Sequence, residues 1–106
     1  MSETFAVPGP ITPILANQIQ PPAPPPLWAV ILINDDITPG EFVVELLIQI
    51  FGKTAFEAVD IMLKVHTEGR AVAGVYSHQI AETRVYQVRG TASNHRHPLQ
   101  CTMEVA

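Results

Sequence analysis

Apolar residues recur with a readable period from residue 27 onward, and before it they do not. Leu27 to Ile33 is a continuous apolar run rich in β-branched residues, which predicts a strand covered on both faces. Phe42, Val43, Leu46, Leu47, Ile50 and Phe51 then fall at helical spacing, predicting a helix over about 39–51 that Gly52 ends. Thr38 is placed to cap it, with Pro39 at the first helical position and Glu41 in the first turn. Thr54-Ala55-Phe56-Glu57 reads as a capping box, and Ala58, Ile61, Met62 and Val65 continue a helical stripe until Gly69. Ala71 to Tyr76 alternates as a strand, Ser77 caps a helix running to about Thr91, and Leu99, Cys101, Met103 and Val105 alternate as a last strand. The order β-α-α-β-α-β predicts an α+β fold, a two-layer sandwich in which a small three-stranded sheet packs against helices.

Composition divides the chain at the same place. Residues 1–26 hold eight of its ten prolines and one charge, Glu3, so they are expected to form a disordered proline-rich N-terminal extension. Residues 27–106 must hold the folded domain, and a chain of 106 residues has room for only one core. The net charge of −4, with six scattered Lys and Arg, argues against a nucleic-acid partner. The single Cys101 excludes an internal disulfide and sits on an alternating apolar run, as a core residue does. No apolar run approaches the roughly 20 residues of a membrane span, and the N-terminus lacks the pattern of a secretory signal, so a soluble, unexported protein is expected.

The chemistry concentrates in Asn34-Asp35-Asp36, a run of acceptors in the turn between the first strand and the first helix. Such a patch suits a cation. Calcium fits poorly: Asn34, Asp36, Thr38 and Glu45 match four loop positions, but Pro39 stands where the loop needs glycine. His95, His97 and Cys101 lack a fourth zinc ligand, and both histidines read as surface residues. Asp35 or Asp36 with His66 resembles a general-base pair, yet no Ser or Cys nucleophile accompanies them, so a binding protein is favoured over an enzyme. Met62, Val65 and His66 share one face of the second helix. If that face folds onto the 34–36 turn, it completes a pocket with an apolar wall and an acceptor rim.

Several motifs in order resemble the ClpS family: Asn34-Asp35-Asp36-x-Thr38-Pro39-x-Glu41-Phe42-Val43, Phe51-Gly52-Lys53, Ile61-Met62-Leu63, Val65-His66, Gly74-Val75-Tyr76, Ala81-Glu82-Thr83 and His97-Pro98-Leu99-Gln100-Cys101. The likeness covers about 27–105. It implies a cytoplasmic, monomeric adaptor without cofactor or metal. Such adaptors recognise N-degrons, proteins with a bulky apolar N-terminal residue (Leu, Phe, Tyr or Trp), and deliver them to the ClpA unfoldase of the ClpAP protease. The resemblance assigns the α-amino group to Asn34, Asp35 and His66, and the pocket lining to Asp36, Thr38, Gly40, Val43, Met62, Val65 and Leu99. Docking to the ClpA N-terminal domain falls on Ile37, Gln79, Glu82 and Arg84, three of which depart from the aromatic, acid and lysine common in the family. Gly40 departs too, standing where the family usually places a Met gate at the pocket mouth. Its lost side chain leads to the expectation that Ile and Val are admitted as well. In this family the N-terminal extension is engaged by the unfoldase, so residues 1–26 are expected to serve as a handle.

Overall fold

The apolar run after the prolines forms β1, Trp28–Ile33, whose four middle residues are all buried. The computed structural model describes residues 23–106, so most of the proposed N-terminal extension lies outside the described residues. Three helices follow the predicted stripes: α1 (Gly40–Phe51), α2 (Ala55–Glu68) and α3 (His78–Asn94). The two other strands are β2 (Arg70–Tyr76) and β3 (Gln100–Val105). The sheet order is β2-β1-β3, both pairings antiparallel, which explains why β1 reads as uninterrupted apolar sequence: it is the central strand.

The two faces of β1 are covered differently. Val30 and Leu32 are fully buried in one cluster with Leu47, Ala58, Val65 and Val88 from the three helices. Ala29 and Ile31 point the other way by strand alternation. Over that face Arg70 of β2 donates to Glu104 of β3 at 2.7 Å across β1. The bridge is exposed and adds little stability, and Ile31 on this face is 2% accessible.

Glycine ends two helices as expected, Gly52 at φ 64° and Gly69 at φ 88°. The Thr54–Glu57 capping box forms in both directions, with bonds of 3.0 and 3.1 Å. Two boundaries differ from expectation. α3 runs a turn beyond Thr91, because the buried stripe Ala81, Val85 and Val88 continues to Ala92 and keeps that turn on the core. Thr38 does not cap α1. Pro39 occupies the N-cap position, immediately before the first helical residue, and the Thr38 hydroxyl one residue further out donates to Asp35.

Candidate functional site

Asp35 organises the turn between β1 and α1. Its Oδ1 accepts the backbone N–H groups of Ile37 (2.8 Å) and Thr38 (2.7 Å), and its Oδ2 accepts the Thr38 hydroxyl (2.7 Å). Partial burial pushes the carboxyl pKa up, but the bonds from Thr38 and Ile37, helped by nearby His97, outweigh it and hold the group below its ordinary value. An Asp in this role fixes the turn while remaining ionised. A carboxylate has about four acceptor positions, so three internal bonds leave one for a ligand.

Adjacent backbone bonding joins this turn to α2. Asn34 donates its N–H to the Gly69 carbonyl at 2.9 Å, while Gly69 donates to the Val65 carbonyl at 3.0 Å. The last turn of α2 is thereby held beside the acceptor run. A cavity of about 220 Å³ lies between them, with Asn34, Asp35, Asp36, Thr38 and His66 on its polar side. Gly40, Val43, Met62 and Val65 complete its wall. Val43 and Val65 belong to the core and are 5% and 3% accessible, so the apolar wall is continuous with the interior. Met62 packs against Gly40: a Cβ at position 40 would lie 3.1 Å from the Met62 sulfur. This cavity can offer acceptors to a small cation at one end and apolar contact to an attached side chain at the other.

A larger, more open groove of about 660 Å³ follows the exposed side of α1, but none of the site residues inferred from sequence lines it. Leu99, which the ClpS resemblance places in the pocket lining, lies in the hydrophobic core with Val43 and Val65, 6% accessible, and borders a separate groove with Ile37 and His97. His97, read from sequence as a surface residue, is half-buried, with its ring 4.5 Å from that of Phe42. Nothing in the local pattern separates it from exposed His95, since the contact depends on where α1 crosses the end of α3. Cys101 is buried in the core, and burial, partly opposed by Arg89, pushes its thiol pKa up to about 12, leaving it unreactive. Among the described residues no cluster of three metal-ligating side chains occurs.

Comparison with known proteins identifies the architecture. The family model described as ATP-dependent Clp protease adaptor protein ClpS matches residues 23–102. The chain belongs to the ClpS family. It is 59% identical over 80 residues to the ATP-dependent Clp protease adapter protein ClpS of Roseobacter denitrificans, covering 76% of this chain and 71% of that one. To the ClpS of Leptothrix cholodnii it is 50% identical over 93 residues, covering 88% and 81%. Among solved structures, Agrobacterium tumefaciens ClpS2 bound to L-phenylalaninamide matches with a TM-score of 0.76 and 34% identity, over 78% of this chain and all of that one. These relatives are named as adaptors of a protease, not as enzymes. No helix among the described residues is long and apolar enough to cross a membrane.

The residues that the ClpS resemblance assigns to unfoldase docking lie along α3 and on the turn before α1. Gln79 and Glu82 are exposed at the start of α3. Arg84 lies 5.6 Å over the Tyr76 ring and donates to Gln87 at 3.2 Å, so part of its side chain is engaged within the domain. Ile37 is 72% accessible and sits with Arg89 and Arg96, toward the other end of α3. At a rise of about 1.5 Å per residue, the ten residues from Gln79 to Arg89 put roughly 15 Å between these locations.

Proposed function

We propose that this ClpS-family adaptor binds the free α-amino group and bulky first side chain of N-degron proteins and delivers them to the ClpA unfoldase of ClpAP. The cavity shared by the Asn34–Thr38 turn and the end of α2 carries this reading. Asn34, Asp35 and His66 accept from the substrate ammonium, and Asp36 and Thr38 form the adjoining polar wall. Val43, Met62 and Val65 receive the side chain. L-phenylalaninamide, the ligand of the Agrobacterium relative, has this pairing of a free amine with a bulky apolar group. Charge-assisted bonds contribute about 1.5–3 kcal/mol each, and burial of a Leu or Phe side chain about 1.5–3 kcal/mol. After the entropy lost on association, micromolar or tighter binding follows.

The preferred first residues are Leu, Phe, Tyr and Trp, and Gly40 extends the range to Ile and Val. Residues 1–26 act as the handle that the unfoldase engages, and the protein works as a single copy in the cytoplasm. The deciding experiment is calorimetric titration with a Leu-initiated peptide and its N-acetylated twin. Tight binding of the free amine and loss of binding on acetylation is the expected result, while equal affinities overturn amine recognition. Removing residues 1–20 leaves peptide binding intact and abolishes delivery; undiminished degradation by ClpAP refutes the handle.

A further inference from the structure

The apolar wall of the 220 Å³ cavity holds one side chain that can change shape. Val43 and Val65 are buried, 5% and 3% accessible, and their β-branched side chains are stiff at χ1. Gly40 has no side chain. Met62 is partly buried and carries an unbranched, flexible thioether. We propose that Met62 is the movable element that fits the pocket to different first side chains, and that Gly40 is the seat on which it rests when the pocket is open. Gly40 then acts through Met62, as a positioning residue, and not by its absence at the mouth alone. This rests on the N-degron reading above and deepens it by naming what sets the breadth of first residues.

The seat follows from the distances. A Cβ built on Gly40 would lie 3.1 Å from the Met62 sulfur, 3.5 Å from its methyl carbon and 3.7 Å from its Cγ. The outer half of Met62 therefore covers the bare backbone at the start of α1, in the space that a side chain at position 40 would need. The first of these contacts is tighter than ordinary van der Waals separation, so even an alanine methyl must displace the thioether. Gly40 and Met62 line the same small cavity, and a sulfur pushed off its seat swings across it.

Nothing in the backbone calls for glycine at this position. Gly52 and Gly69 have positive φ, whereas Gly40 does not, and it is the first residue of α1, where glycine is a weak helix former. What the position supplies is the missing Cβ. The chemistry of the first residue shows why that space matters. A β-branched residue is widest at its Cβ, one bond from the carbon that bears the amine, so it needs width close to the acceptor rim. Leu branches one atom further in. Met62 stands one helical turn before His66 on the same face of α2, and both line the cavity, so Met62 borders that width. Seated on Gly40, it leaves room for Ile, Val or the broad ring of Trp.

The test titrates matched peptides beginning with Leu, Ile, Val or Trp into the full chain, Gly40→Ala, Met62→Ala and the double variant. Gly40→Ala weakens the Ile, Val and Trp peptides by about fivefold or more relative to the Leu peptide. In the Met62→Ala background the same methyl shifts these ratios by no more than about twofold, so the two positions are coupled. Met62→Leu, which keeps the volume but replaces the flexible end with a branched one, narrows the preference in the same direction as Gly40→Ala. A position that only starts the helix behaves differently: alanine there raises Tm and leaves the order of peptides as it was. Methionine labelled with carbon-13 at its methyl gives a readout apart from affinity. Of the chain's three methionines, the signal lost in Met62→Ala moves in Gly40→Ala, and moves by different amounts with the Leu and Trp peptides. An unchanged preference in Gly40→Ala, the same narrowing with and without Met62, or a Met62→Leu profile as broad as wild type overturns the seat. Equal wild-type affinity for the Leu-initiated peptide and its N-acetylated twin overturns the N-degron reading, and the seat's role in selection with it.

Discussion

Asp35→Asn separates charge from shape at the centre of the turn. The Asn carbonyl takes the place of Oδ1 and still accepts from Ile37 and Thr38 N–H, now at 2.8 and 2.7 Å, so the backbone geometry persists. The amide nitrogen replaces Oδ2 and cannot accept from the Thr38 hydroxyl, which must rotate and accept instead. Exchanging charged for neutral bonds on a half-buried group lowers stability by about 1 kcal/mol. In a domain of this size that moves Tm by about 4–8 °C. The amine loses an ionised acceptor worth about 1.5–3 kcal/mol, which weakens binding roughly ten- to a hundredfold. Titration of the folded variant with the Leu-initiated peptide checks this; affinity within about threefold of wild type means that Asp35 braces the turn and does not hold the amine. The pH profile has a definite sign. Because the folded carboxyl sits below its ordinary 3.8, its stabilisation is complete above that value and is lost as pH falls through the lower folded pKa. The Tm gap between wild type and Asp35→Asn is therefore constant near neutrality and closes in strong acid.

Three further outcomes follow. Gly40→Met returns a side chain to the pocket mouth against Met62 and weakens Ile- and Val-initiated peptides by about tenfold or more relative to Leu; an unchanged preference in matched titrations removes Gly40 as a selector. Affinity for the free-amine peptide declines above about pH 8, where an α-amino group loses its proton, and a profile flat to pH 10 contradicts ammonium recognition. Leu99→Ala lowers stability by about 2–5 kcal/mol as a core truncation; titration of the folded variant shows weaker peptide binding if Leu99 also lines the pocket as the family likeness implies, and wild-type affinity makes it a core residue alone.

The elements were legible because each agrees with its local chemistry. The Thr54–Glu57 box, the glycines at 52 and 69 and the continuous apolar run of β1 all specify in sequence what they do in the fold. The Thr38 cap was not legible, because the helix begins one residue later than the cap pattern requires, with Pro39 at the N-cap, and only the folded turn shows the Thr38 hydroxyl donating to Asp35. Helical spacing grouped Met62, Val65 and His66, but the Asn34–Gly69 backbone bond is what brings them to the acceptor turn. Leu99 shows the reverse limit. Strand alternation places it in the core, where it is found, and its place in the pocket lining rests on the family likeness alone.

The Asp35–Thr38 turn separates two cavities of opposite character, one rimmed by carboxylates and one by arginines. Asp35 reaches both: it lines the first, and it bonds the backbone of Ile37, which lines the second. On the proposed reading, a substrate amine that draws on the last free acceptor position of Asp35 would restrict this turn, and a partner seated on Ile37, as the family likeness implies, would restrict it from the other side. Each would then find the turn already ordered by the other, which predicts positive coupling without a change of fold. Linkage makes the effect reciprocal: the factor by which the unfoldase domain tightens peptide binding must equal the factor by which peptide tightens domain binding. Titrating a Leu-initiated peptide with and without saturating ClpA N-terminal domain, and then the domain with and without peptide, measures both. Equal factors above one that vanish in Asp35→Ala, which removes all three turn bonds, place the coupling in this turn. Equal factors that persist in that variant put it elsewhere, and factors of one show that substrate capture and docking are independent.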